Sequence, residues 1–265
     1  MNVLIQEIKQ YRKGLLAWIV GLTLGAFMFM PFLPAFADNV SSMKEFLAGM
    51  GLSLTEAIGI DFEVFFGPLG YFNYIYSFII LAAGIQALAL GLRIIALETR
   101  FKTADFLLTK PKSRSSIYLQ KVAAGLISLL VTQAIVNLVC LISLKAFAVE
   151  SFSLQNFLLL VSTLSFMQFF LYALGILVAA LAPKLKQTIG VAIGITMLFY
   201  VLYVVANLTK EELYNWFTPF KYFEGNYILI HQAYDASFLA LGVALTVVFL
   251  VAGLVVYRRR DVHSV

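Results

Sequence analysis

Charged side chains are unevenly spaced along the 265 residues. Six stretches longer than 20 residues contain no Asp, Glu, Lys or Arg: 14–37, 64–92, 122–144, 151–183, 187–209 and 236–257. A charge at the centre of a bilayer costs roughly 2.5–3.5 kcal/mol on insertion scales. Each gap also holds the 20 or so residues a helix needs to cross about 30 Å of hydrocarbon. Helix is the required form, because lipid offers backbone groups no partners. Spans are therefore predicted near 14–36, 71–92, 122–144, 157–181, 189–208 and 238–257. Strands of a membrane barrel would show short alternating segments instead.

Outside the spans the pattern is amphipathic in three places. Leu4, Ile8, Tyr11 and Leu15 fall on one helical face, with most charges elsewhere. This predicts an amphipathic elbow helix over 2–13, lying in the interface; a plain extension of the first span is the alternative. Met43, Phe46, Leu47, Met50 and Leu54 predict a second surface helix, either a cap or a gate. Leu97, Phe101, Ala104 and Leu108 form a third stripe, and Lys110-Pro111 ends it. That stripe sits in a basic connection and needs something to dock against. Residues 209–237 carry Trp216, Phe217, Phe220, Tyr222, Phe223 and Tyr227, broken by Pro219 and Gly225. They suit an aromatic belt or short re-entrant helices.

Composition agrees with the pattern. Hydrophobic residues are 62% of the chain and charged ones 12%, against about 25% charged in soluble domains. Mean hydropathy is +0.92. A soluble enzyme, a disordered chain and a disulfide scaffold are excluded, and Cys140 has no second cysteine to pair with. The expected fold is an all-α polytopic membrane protein, one domain over residues 1–265. Ala35-Phe36-Ala37 mimics a cleavage site. The apolar run before it exceeds the 7–15 residues of a signal peptide, so the first span is expected to be retained.

The sign of the connections sets orientation. Lys9, Arg12 and Lys13, the seven basic residues of 93–121, Lys184 and Lys186, and Arg258, Arg259 and Arg260 all fall on one side. Lys44, Lys145, Lys210 and Lys221 stand alone on the other, among most of the acidic residues. Both termini are therefore expected in the cytoplasm. The net charge of +5 is a topology signal and not a nucleic-acid footprint.

Several chemistries have no carrier. There is no Gly-Lys pair and hence no ATP-binding P-loop. His231 and His263 lack ligand-spaced partners, so no metal site is expected. No catalytic motif is present, and the chain is not expected to be an enzyme. The uncharged spans also disfavour an ion-coupled carrier. Their polar residues are neutral: Gln86, Thr132, Gln133, Asn137 and Gln168 suit interhelical hydrogen bonds or, alternatively, substrate contact. Gly21-x-x-x-Gly25 and Gly190-x-x-x-Gly194 permit close helix approach, within the bundle or between copies.

The stretch Glu98–Lys121, ETRFKTADFLLTKPKSRSSIYLQK, resembles the cytoplasmic segment of ABC-2 type ABC transporter permeases. The matches are Glu98, Leu107, Leu108, Pro111, Ser113, Arg114 and Lys121. Thr218–Phe223 and Tyr257–Asp261 look similar to two further family stretches. The resemblance implies the membrane subunit of an ATP-driven exporter in a bacterial plasma membrane. It implies a second permease copy and a separate cytoplasmic ABC ATPase carrying the ATP and Mg. Residues 97–109 would form a coupling helix, with Glu98, Phe101, Lys102, Asp105, Leu108, Pro111 and Arg114 as ATPase contacts. Spans two and five would line the path, giving Phe78, Gln86, Met197, Phe199, Tyr200 and Tyr203 as candidates. Such a path suits an amphipathic or hydrophobic substrate: a peptide toxin or bacteriocin, a lipid or a drug. A non-transporting immunity or signalling module is the alternative from another class.

Overall fold

The computed structural model describes residues 3–51, 55, 60–62, 64–100, 113–182, 185 and 187–259. Among them every regular element is helical. Six helical stretches are long and apolar enough to cross a membrane. They contain all six spans read from the charge gaps.

The first stretch is α1 (Val3–Phe29), a 3-10 turn at Met30–Phe32, and α2 (Leu33–Asp38). Pro31 and Pro34 explain the break: each lacks an N–H and disfavours continuation of the preceding turn. The residues of the expected elbow are helical and run into the first span as part of α1. Of the helix read from Met43 to Leu54, the part to Met50 is α3 (Val40–Met50), and Leu54 lies outside the described residues. Leu47 points into the core and Phe46 away from it.

The next two spans overrun their charge gaps. α4 covers Pro68–Arg100 and α5 covers Arg114–Phe147. Arg93 does not end α4, because its head finds partners at the helix surface. Its Nη2 donates to the Gln10 carbonyl at 3.4 Å, and its guanidinium lies 5.5 Å from the Tyr11 ring centre. The Ser113 hydroxyl accepts from the Ser116 N–H at 3.2 Å and caps α5. Ser153 caps α6 (Leu154–Leu181) in the same way, through the Asn156 N–H at 3.3 Å. The fifth span is α7 (Thr188–Thr209), closed by Lys210 in the left-handed conformation at φ 55°. Three short helices follow: α8 (Glu212–Asn215), α9 (Pro219–Tyr222) and α10 (Gly225–His231). Asp235 then caps the last span, α11 (Ala236–Arg259), accepting from Ser237 N–H at 2.9 Å.

The centre of the bundle is the pair α4 and α6. They cross backbone to backbone. A Cβ at Gly175 would lie 2.5 Å from the Leu88 carbonyl oxygen, and one at Gly91 would lie 3.1 Å from the Gly175 Cα. Small residues allow this approach, which lets dispersion act between main chains in the absence of a water-driven force. α5 joins the pair through neutral side chains. Gln86 donates to Thr132 Oγ1 at 3.1 Å, Gln168 to Gln86 Oε1 at 3.2 Å, and Gln133 to Gln168 Oε1 at 2.8 Å. The Tyr76 hydroxyl adds a bond to Asn137 Oδ1 at 2.6 Å. The polar residues of the spans thus knit three helices together. α1 leans on α5, α7 on α4, and α11 on α6.

Candidate functional site

Two regions gather the polar chemistry, one at each end of the bundle. The basic end brings together α1, the close of α4, the start of α5 and the close of α11. Lys121 is buried there with its ammonium 2.5 Å from Glu7 Oε1 and donating to the Ile94 carbonyl at 3.0 Å. Such a buried pair holds only because each charge has its partner. Tyr172 donates to the Val122 carbonyl at 3.1 Å, beside Gly125, where a side chain would collide with its phenol. Arg114 Nη1 donates to the Arg258 carbonyl at 3.1 Å, and the Tyr118 hydroxyl to the Leu250 carbonyl at 2.7 Å. Of the two helices that flank the 101–112 connection, α4 is therefore tied to α1, and α5 to both terminal helices. Of the coupling residues, Phe101, Lys102, Asp105, Leu108 and Pro111 lie outside the described residues. Glu98 is described by its backbone alone, in the last turns of α4. Arg114 stands in the first turn of α5.

The opposite end is built by the aromatic segment that follows α7. Thr218 is fully buried and donates to the Phe199 carbonyl at 2.8 Å, which draws the chain back into the bundle. Pro219 then opens α9, where its missing N–H costs nothing. Tyr222 stacks on Phe238 and Phe223 on Phe166, with ring centres 5.8 and 5.5 Å apart. The Tyr222 hydroxyl donates to the Trp216 carbonyl. These aromatics are core residues, so the segment re-enters the bundle and is more than a belt. In the next turn Tyr234 donates to the Leu159 carbonyl at 2.7 Å, and burial pushes its phenol up to about 12.

Between α7, α9 and α10 lies a charged network. Lys221 Nζ is 2.6 Å from Glu224 Oε2 and donates to Asn207 Oδ1 at 3.3 Å. The Tyr203 hydroxyl donates to Glu224 Oε1 at 3.4 Å. Asn73 Nδ2 donates to Asn226 Oδ1 at 2.7 Å, tying α4 to α10. A cavity of about 300 Å³ opens here, lined by Asp61, Asn207, Lys210, Asn215, Lys221 and Glu224 among others. A narrower space of about 50 Å³ adjoins it between Tyr74, Tyr200, Tyr203 and Phe220.

The six path candidates do not form one surface. Tyr200 and Tyr203 come together over Phe220, at 5.5 and 6.2 Å between ring centres. Phe199 is half-buried among the core residues. Phe78 and Met197 are exposed, at 46% and 39%. Gln86 is fully buried in the hydrogen-bonded centre described above. The polar cavity escaped the reading of the sequence. Lys221 and Glu224 at i, i+3 inside an aromatic run were the signal that could have found it.

With this geometry in view, the comparison with protein families is decisive: the profile described as ABC-2 family transporter protein matches residues 1–262. The chain belongs to the ABC-2 transporter family. A search of curated proteins found no match. This ABC-2 chain is thus a multi-pass transmembrane subunit of an ABC transporter. The resemblance read from Glu98 to Lys121 and from the two later stretches agrees with this family.

Proposed function

We propose that this chain is the permease half of an exporter, moving an amphipathic substrate outward with energy from a separate ATPase. The whole chain acts as one permease domain, with its basic end and both termini in the cytoplasm of a bacterial cell. ATP and Mg sit on the ATPase, since this chain has no P-loop. Residues 97–109 seat in a cleft of that ATPase as a coupling helix. The bracing of α4 to α1, and of α5 to both terminal helices, supports this reading. A push on a connection between two tied helices moves four helices, not two.

Two copies make the path. The observation that carries this is the bare face of α7. Gly194 has no atom within 4 Å of a Cβ built on it, and Gly21 and Gly25 on α1 are equally open. Ile193, Met197 and Val201 extend the exposed face of α7. Glycines that serve no packing within one chain are free to serve it between two.

The test is co-reconstitution of the chain with its ATPase in proteoliposomes, followed by ATP-driven movement of a labelled amphipathic peptide. Phe101→Ala should lower both transport and ATPase co-purification while insertion stays normal. Burying one phenylalanine in a protein cleft contributes roughly 1.5–3 kcal/mol, more than exposed charges at Arg100 and Lys102. A wild-type ATPase stoichiometry in Phe101→Ala would defeat the apolar dock. ATP hydrolysis without any flux would instead mark a signalling or immunity module.

A further inference from the structure

We infer that the cavity beside α9 and α10 is a binding site for a zwitterionic amphiphile: an ammonium and an anionic group close together on a slim apolar chain. The inference deepens the export reading and rests on it for the site's role in transport. Its chemistry stands on the two adjoining spaces alone.

The wide space is polar and electrically balanced. Asp61 and Glu224 face it with Lys210 and Lys221, and Asn207, Asn215 and Asn226 fill the intervals. The Lys221–Glu224 pair is largely shielded, with side-chain exposures of 21% and 15%. A ligand carrying one charge must draw on one pole and leave the other without its partner, which is costly in a shielded place. A ligand carrying both charges lies antiparallel to the pair and satisfies each pole at once. The pair has capacity left for this. Lys221 donates twice, to Glu224 and Asn207, so one of its three N–H groups has no partner among the described residues. Among the described residues, Glu224 Oε1 receives only a long bond of 3.4 Å from Tyr203.

The narrow space supplies the other half of the ligand. Tyr74, Ile80, Met167, Tyr200, Phe220 and Phe223 contribute to its walls, and it shares Glu224 and Asn226 with the polar one. The first carbons of an alkyl chain fit in its roughly 50 Å³, while the headgroup remains at the shared residues. The backbone is shaped to the site as well. Lys210 stands at its rim in the left-handed conformation that closes α7, its N–H bonded to the Ala206 carbonyl. A side chain at Gly225 would collide with the Asn73 amide.

The experiment uses the full chain in maltoside micelles, whose headgroups are uncharged. With Trp18→Phe, Trp216 is the remaining tryptophan; it follows Asn215 of the cavity wall. Its emission is titrated with lysophosphatidylethanolamine, lysophosphatidylglycerol and an alkyltrimethylammonium of equal chain length. The zwitterion should bind about tenfold tighter than either other probe, as one extra charge-assisted hydrogen bond implies. Glu224→Gln should shift preference to the anionic probe, and Lys221→Met to the cationic one. The double variant should bind all three alike, and it leaves no lone charge to disturb folding. Equal affinities in the unaltered site, or a double variant that keeps the zwitterion preference, would overturn the proposal. Nanodiscs with and without phosphatidylethanolamine separate the sources: suppression of the titration by the bilayer lipid assigns the site to lipid, and its persistence assigns it to a free amphiphile. The titration needs no ATPase and so tests the site alone, while ATP-driven flux in the co-reconstituted proteoliposomes tests the export reading: selective binding with no flux there would defeat only export, and flux without this selectivity would defeat only the site.

Discussion

At Gly175 a single hydrogen in place of a methyl group decides how near two helices come. A Cβ there would meet the Leu88 carbonyl at 2.5 Å, and main chain cannot swing aside as a side chain can. Gly175→Ala should therefore destabilise the chain by about 1–3 kcal/mol, the usual effect of overpacking, read as a lower midpoint in thermal unfolding. Gly194→Ala, with open space around it, should leave that midpoint unchanged. Lys121 offers a second test. Lys121→Met leaves Glu7 without its partner, an effect of about 3–5 kcal/mol for a buried pair. Glu7 is 14% exposed, which places the expected loss at the lower end. The double variant with Glu7→Gln should recover most of it, and a double-mutant cycle on the unfolding midpoint measures the coupling. The glycines that stood out in the sequence, Gly21, Gly25, Gly190 and Gly194, are not the ones at the tight crossing. Gly91 and Gly175 sit in Ala87-x-x-x-Gly91 and Gly175-x-x-x-Ala179, small-residue spacings that a search for paired glycines passes over.

Elements were more legible than their neighbours. Charge gaps located all six spans, since exclusion of charge from lipid acts on each residue by itself. The ends were less legible, as Arg93 shows: a long side chain can reach back to Gln10 and Tyr11 while its helix continues. Which face of a helix turns inward was legible only from polar residues. Gln86, Gln133 and Gln168 read inward because lipid gives them nothing. Leu and Val suit lipid and core equally, so the outward faces of α1 and α7 carried no mark. Gly194→Ile tests the face of α7. It should leave the single chain folded and weaken pairing of copies, seen as a larger monomer fraction by light scattering or cross-linking. A dimer of unchanged strength, with unchanged transport, would move the interface away from α7.

For the whole molecule, the two ends differ in chemistry as well as position. One end is basic and tied by buried hydrogen bonds to carbonyls. The other is aromatic, re-entrant and hollowed by a balanced polar cavity. Orientation is tested in a Cys140→Ser background, although Cys140 is itself fully buried. Cysteines at Lys44 and Glu150, both exposed, should react in intact cells with an impermeant thiol reagent. Cysteines at Lys112 and Arg259 should react only after permeabilisation. Labelling of Lys112→Cys in intact cells would reverse the orientation of every connection at once. The cavity was invisible at this scale too, because its walls come from distant segments of the chain, Asp61 on one side and Asn207 to Asn226 on the other.

The Glu7–Lys121 pair has a bearing on how the chain is made. Its members are 114 residues apart, and ribosomes add about 5–20 residues per second. For about 6–23 s of synthesis the first helix therefore exists without its anchor. Until the third span enters the bilayer, α1 has neither Lys121 nor the body of α5 to lean on. Its final rotation is fixed by a later arrival and not by its own insertion, so a nascent chain halted before residue 121 should hold α1 less firmly than one halted after residue 147.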